Sequence, residues 1–264
     1  MTSEPSPPAG GESVEAPHVR AALPWRGFVV DSLLAGVALV GLSTLLITPI
    51  VFLGMMAQAP GDALPNGEPD LSAMMPDITA AAIVAMLLTA VLAWWLRGRA
   101  LVGSMPRMPA LPAYGLALAA GVAIQLATQG FAWLLAQSGA APEPTNAEPI
   151  TALLSATPWA AWLLIVVVGP FAEELLMRHV LLRRFAVAGH ALAGLLLTSV
   201  AFALLHEPVP SAGIAAWLGG LAMYTAMGAG FGLVYLRTGR FRAAFLAHAA
   251  CNAAALLLAA YSAS

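Results

Sequence analysis

The chain has little charge, one cysteine and no lysine. Only 9% of its 264 residues are charged, whereas a soluble domain has about 25%, so a soluble globular protein is excluded. The single cysteine, Cys251, excludes an intrachain disulfide framework. The net charge of -2 says nothing about nucleic acid, and no basic patch in the sequence suggests a surface for it.

Long apolar runs replace the missing charge. The chain is 60% hydrophobic, with a mean hydropathy of +0.84. A helix needs about 20 apolar residues to cross a bilayer, and seven segments approach or exceed that length. They are roughly Phe28–Met55, Ile78–Leu96, Tyr114–Ala136, Trp159–Arg183, Ala191–His206, Ala212–Leu236 and Ala243–Tyr261. The sequence therefore predicts an all-α, polytopic membrane bundle of about seven transmembrane helices.

The arginines mark one side of this predicted bundle. They precede segment 1 and occupy the connections between segments 2 and 3, 4 and 5, and 6 and 7. The remaining connections contain no basic residue and hold Asp62, Glu68, Asp70, Glu143, Glu148 and Glu207. The positive-inside rule then predicts a cytoplasmic N-terminus and an external C-terminus. In a bacterium the membrane would be the plasma (inner) membrane.

The first residues and the first segment carry two smaller expectations. Residues 1–26 are rich in Pro, Gly, Ser and Glu, a composition that cannot bury a core, so we expect a disordered tail. Asp31 lies close to the inner interface of segment 1, where we expect it to need no partner.

The stretch FAEELLMRH, residues 171–179, places charge inside an apolar segment. One charged side chain at the centre of a membrane helix costs roughly 2.5–3.5 kcal/mol. Glu174 and Arg178 are four residues apart and can pair on one helix face. Glu173 is rotated by about 100°, so its partner must come from another helix. A structural ion pair that holds the bundle together is one interpretation.

Two further segments carry polar side chains. Segment 5 ends in FALLH, with His206, and segment 7 contains HAACN, with His248 and Asn252. Polar groups inside a membrane bundle face its interior and mark functional sites, so we expect these side chains to share a pocket with Glu173, Glu174 and Arg178. The predicted spans leave His206 and His248 at different depths. For them to meet, either segment 5 starts outside the bilayer and segment 7 begins earlier, near Arg240, or the core helices are strongly tilted. Gly228 and Gly232 form a GxxxG pattern that predicts close helix packing.

Such a pocket has the groups for hydrolysis. A carboxylate and an imidazole beside one water can remove its proton and drive attack on a carbonyl carbon. A histidine and an asparagine can stabilise the resulting oxyanion. Glutamate and histidine are also zinc ligands, but the HExxH pattern is absent because Pro208, Val209 and Pro210 follow His206 and Glu207.

In this order, EExxxR, FxxxH and HxxxN resemble the motifs of the CPBP intramembrane proteases. That group includes the Rce-type CAAX prenyl endopeptidases and the bacteriocin-processing or immunity (Abi) proteins. The resemblance implies peptide hydrolysis by a glutamate-activated water. It makes Glu173 the general base, assisted by His206. It places His248 and Asn252 at the oxyanion, with Glu174 and Arg178 in support.

The resemblance also implies an organisation and a set of partners. Residues 159–261 would form a four-helix protease core and residues 27–140 three accessory helices. The partners would be the lipid bilayer and a peptide or membrane-protein substrate, which is lipidated in some members. The family is described both with and without a metal; we expect none to be required, with zinc as the alternative.

Two other functions fit the same residues. A non-catalytic member would bind a membrane peptide, as an immunity protein does. A proton-coupled transporter would use Glu173 and the histidines as a relay, although the chain has no paired halves of the kind that inverted repeats leave.

Overall fold

The computed structural model describes residues 24–58, 70–101, 103–137, 139, 141–142, 144–210 and 213–262. Within these residues every regular element is helical. The helices are α1 (Pro24–Ala57), α2 (Ser72–Gly98), α3 (Ala110–Gln137), α4 (Ala147–Ala156), α5 (Pro158–Val187), α6 (Ala191–His206), α7 (Ile214–Thr238) and α8 (Phe241–Ser262). Residues 1–23 of the predicted tail, and Asp62, Glu68 and Glu143, lie outside the described residues.

The prediction of an all-α membrane bundle is confirmed. Six of these helices are long and apolar enough to cross a bilayer. The remaining predicted segment, segment 5, is α6, which has only 16 residues and is therefore about 24 Å long, less than the roughly 30 Å of the hydrocarbon core. Helix α4 was not predicted; it lies in the connection between the third and fourth segments.

Small residues let the helices approach closely. The largest core cluster draws on all the long helices and on α6 through Ala35, Ala90, Ala117, Leu176, Phe202, Phe231 and Ala247. The packing prediction for the GxxxG pattern is confirmed, because a Cβ on Gly228 would press on Ser199 and Phe202 of α6, and one on Gly232 would overlap Leu195. Close packing of this kind stabilises membrane helices by dispersion contacts.

The expectation for Asp31 is wrong. Its carboxylate is fully buried and contacts two arginines, Arg97 at 2.6 Å and Arg184. A buried carboxylate needs such compensation, and the ends of α2 and α5 supply it. Near the same end, Arg240 Nε donates to the Met108 carbonyl (2.7 Å) and Arg183 donates to the Gly103 carbonyl (2.7 Å). These contacts gather the arginine-bearing connections at one end of the bundle, the basic end.

The tight contact between α3 and α8 gives a stability prediction. A Cβ on Gly121 would overlap the backbone carbonyl oxygen of Ala247, whereas one on Gly115, also in α3, would meet nothing. We expect Gly121→Ala to destabilise the protein by about 1–3 kcal/mol through overpacking, and Gly115→Ala to be neutral or slightly stabilising. Thermal denaturation in detergent measures both; equal midpoints for the two variants would contradict this packing.

Candidate active site

A cavity of about 760 Å³ is lined by side chains from α2 to α8. Four of the predicted site residues lie on its wall: Glu173, His206, His248 and Asn252. Most other lining residues are apolar, so these side chains form a polar patch inside an apolar chamber. The remaining two predicted residues, Glu174 and Arg178, are completely buried behind this patch.

The Glu173 carboxylate lies between two imidazole rings from other helices. Its Oε2 atom is 3.8 Å from His206 Nε2 and 3.9 Å from His248 Nε2. Both separations are too long for a hydrogen bond, and Oε2 has no hydrogen-bond partner among the described residues. A polar separation of this size suits a bridging water. Glu173 is thus oriented toward other helices, as its position on α5 predicts.

Hydrogen bonds fix the orientation of both histidines. His206 Nδ1 lies 2.9 Å from the Phe202 carbonyl oxygen, and His248 Nδ1 lies 3.1 Å from Glu174 Oε1. Both partners are acceptors, so each Nδ1 carries a proton and donates it. In the neutral ring each Nε2 then has a lone pair directed toward Glu173. Stacked aromatic rings also restrict the tilt of the imidazole rings: Tyr224 stacks on His206 and Phe231 on His248.

Glu174 and Arg178 form the predicted pair one helical turn apart. Arg178 Nε lies 3.1 Å from Glu174 Oε2, an ion pair in which the N–H is not aligned for a hydrogen bond. Arg178 also donates to the Gly228 carbonyl (3.0 Å) and lies over the Phe202 ring. The arginine therefore compensates Glu174, while Glu174 accepts from His248. The pair thus compensates two buried charges, and it is linked to the cavity wall through His248.

The Asn252 side chain donates a hydrogen bond to a backbone carbonyl of α5 that has no donor within its own helix. Residues Leu163–Val168 wind in wide turns, and the Gly169 N–H reaches the Leu164 carbonyl five residues back. The next donor in that pattern would be residue 170, which is proline and has no N–H. The Ile165 carbonyl is thus left without a helical donor, and Asn252 Nδ2 donates to it at 2.9 Å. The sequence signal was the Gly-Pro pair just before FAEE.

Sequence reasoning missed the residues that contact the end of α6 around His206. Thr145 N donates to Glu207 Oε1 (3.2 Å), and the Thr145 hydroxyl donates to the His206 carbonyl. Tyr224, which stacks on His206, donates to Asn146 Oδ1 (3.1 Å). Glu207 was placed in an outer loop but is only 3% exposed. A carboxylate directly after His206 was the only available signal.

The two histidines meet at the Glu173 carboxylate, despite the difference in depth that the predicted spans gave them. Helix α8 begins at Phe241, two residues before the predicted start and next to Arg240. Helix α6 is short and ends at His206, which stays inside the bundle because Thr145 and Asn146 cover it. Both rings thereby reach the same carboxylate of Glu173.

No group of three or more His, Cys, Asp or Glu side chains among the described residues has the geometry of a metal site. The atoms that would bind zinc here are Glu173 Oε2, His206 Nε2 and His248 Nε2, since the carboxylate oxygen lies within 4 Å of both imidazole nitrogens. Zinc with bonds of about 2.0–2.1 Å needs donors roughly 3.3 Å apart, so these side chains would have to move closer together to hold it.

Residues 155–254 match the model of one protein family, described as type II CAAX prenyl endopeptidase Rce1-like. The chain is therefore similar to this family over less than half of its 264 residues. The Rce1-like segment contains all six predicted site residues, and the predicted relation to the Rce-type proteases is confirmed. No curated protein and no solved structure matches the chain.

The match to the Rce1-like family model supports a CAAX protease-type activity in general terms. Together with the six long apolar helices, it makes the chain an integral, multi-pass membrane protein. The catalytic roles of the six residues, and the division into accessory helices and core, stay predictions.

Proposed function

We propose that the protein is an intramembrane endopeptidase that hydrolyses peptide bonds of membrane-associated substrates with a water activated by Glu173. One observation carries this proposal: Glu173 Oε2, without a hydrogen-bond partner among the described residues, faces the Nε2 atoms of two histidines on the wall of a cavity. The apolar lining of that cavity suits a membrane-associated peptide segment.

The proton steps follow from the hydrogen bonds around Glu173. A water molecule binds between Glu173 Oε2 and His206 Nε2. It gives one proton to the Glu173 carboxylate while the water oxygen attacks the carbonyl carbon of the substrate's peptide bond. The protonated Glu173 then donates that proton to the amide nitrogen as the C–N bond breaks. His206 orients the water, because its Nδ1–H is already held by the Phe202 carbonyl.

His248 and Asn252 stabilise the oxyanion that forms on the carbonyl oxygen. Asn252 uses one N–H for the Ile165 carbonyl and keeps the other for the substrate. His248 donates from Nε2 when its ring is protonated, and the Glu174 carboxylate at Nδ1 balances the ring's charge. Glu174 and Arg178 are positioning residues, since neither lies on the cavity wall.

We further propose that no metal is required. The distance from Glu173 to each histidine supports this, because Glu173 Oε2 is 3.8–3.9 Å from each imidazole nitrogen and a tetrahedral zinc site would draw these atoms closer. A carboxylate and a bound water need no such contraction.

One assay separates this function from the two alternatives. The purified protein in detergent is incubated with quenched fluorescent peptides, including a farnesylated C-terminal peptide, and cleavage is followed by fluorescence and mass spectrometry. Hydrolysis at a defined peptide bond is expected. Saturable peptide binding without cleavage would favour the immunity-type function. Substrate-dependent proton flux in proteoliposomes would favour the transporter.

Asn252 gives a prediction specific to the oxyanion. We expect Asn252→Ala to lower kcat by about 10²–10³-fold, because one donor to the transition state is lost, while KM changes little. Steady-state kinetics on a cleaved peptide measure both constants. The matched variant is Gln129→Ala, which removes an amide from the exposed part of the cavity wall. A similar loss of kcat in both variants would contradict the role of Asn252.

A further inference from the structure

Among the described residues, the exposed part of the cavity lining lies at one end of the bundle. Its deep end is formed by Glu173, His248 and Met227, which are buried or half-buried. Its exposed lining residues are Gln129 in the C-terminal half of α3, Ala147 and Thr151 in α4, and Ala259 near the end of α8. These positions come from helix ends that meet at the same end of the molecule, the cavity end.

The cavity end is opposite to the basic end. Of the described arginines, all except Arg178 lie at the basic end: Arg26, Arg97, Arg99, Arg107, Arg183, Arg184, Arg237, Arg240 and Arg242. The three connections at the cavity end contain no arginine or lysine in the sequence. Arginine-rich connections remain in the cytoplasm, so the cavity end faces the other side of the membrane.

The cytoplasmic half of the bundle is closed beneath the site. Arg178, Leu182 and Phe185 follow Glu173 along α5, and all three are fully buried. The Phe185 ring packs against Trp25 and Phe28 of α1, and the Asp31 cluster lies at the same end. A peptide that came from the cytoplasm would have to displace this packed layer in order to reach Glu173.

We propose that the active site receives its substrate from the extracytoplasmic side of the membrane. The substrate is then a peptide segment of a secreted or membrane-spanning protein that is exposed at that side, and not a prenylated C-terminus made in the cytoplasm. The identity of the substrate rests on the proposed function, because only an enzyme has a substrate. The direction in which the cavity opens does not depend on catalysis.

Cysteine labelling tests the direction. In a Cys251→Ala background, Thr151→Cys marks the cavity end and Ala100→Cys, an exposed turn residue, marks the basic end. With a membrane-impermeant maleimide we expect Thr151→Cys to be labelled in intact cells and Ala100→Cys only after permeabilisation. Labelling in detergent shows that both thiols react, and Ala147→Cys replaces Thr151→Cys if the latter does not accumulate. The reverse pattern, or labelling of either site from both sides, would overturn the proposal.

Sided vesicles then test the substrate. A membrane-impermeant peptide that is cleaved in detergent is added to right-side-out and to inverted vesicles. Cleavage in right-side-out vesicles and its loss in inverted ones is expected; cleavage in inverted vesicles alone would overturn the proposal. If no peptide is cleaved even in detergent, the proposed function fails, whereas the labelling result still decides which side the cavity faces.

Discussion

Glu173→Gln is expected to lower kcat for peptide cleavage by about 10²–10⁴-fold, the usual contribution of a general base. The amide has nearly the same size and still hydrogen-bonds a water, but it cannot accept the water's proton. Because Glu173 makes no ion pair with an arginine among the described residues, its neutralisation should leave the fold intact. Steady-state kinetics and the thermal denaturation midpoint measure the two effects separately.

The matched control is Glu148→Gln, which makes the same change on an exposed residue in the first turn of α4. We expect this variant to cleave at the wild-type rate. Cleavage by Glu173→Gln within a few-fold of wild type would show that another group takes the proton, and Glu173 would lose its assignment as the base.

Arg178→Met is expected to destabilise the protein by about 3–5 kcal/mol, the cost of breaking a buried ion pair from one side. The side chains of Arg178 and Glu174 are both completely buried, so the variant leaves the Glu174 carboxylate without its cation. The change should appear as a large fall in the denaturation midpoint and in the yield of folded protein.

The double variant Glu174→Met/Arg178→Met separates stability from catalysis. Removing both charges leaves an apolar core of similar volume. We therefore expect the double variant to recover most of the stability that Arg178→Met loses. The double variant should still cleave the peptide more slowly than the wild type, since His248 Nδ1 has then lost its acceptor. If the double variant is as unstable as Arg178→Met, the ion pair is not the origin of the loss. If it cleaves at the wild-type rate, Glu174 does not position His248.

The parts of the fold that the sequence could predict depend on local patterns. Apolar runs are visible in the sequence wherever a helix crosses the bilayer, and charged residues inside such runs are conspicuous because they are costly. Glu173, Glu174 and Arg178 could therefore be singled out, and the spacing of Glu174 and Arg178 predicted their contact. His206, His248 and Asn252 were visible for the same reason.

The contacts that sequence reasoning missed join residues that are distant in the chain. Asp31 meets Arg184, and Tyr224 meets Asn146, through packing of separate helices that no periodicity encodes. Helix α4 is only 10 residues long, too short to give a membrane-span signal. The bond from Asn252 to the Ile165 carbonyl depends on wide turns ahead of Pro170, which become apparent only when backbone hydrogen bonds are traced.

The most direct test of the central claim, that Glu173 activates water without a metal, is the cleavage rate of the wild-type protein before and after chelation. Glu173→Gln alone does not decide it, because a glutamate that binds zinc would also be essential. The purified protein is treated with a strong chelator, assayed on a cleaved peptide and assayed again after zinc is added. An unchanged rate in all three conditions is predicted. A rate that falls with the chelator and returns with zinc would contradict the claim.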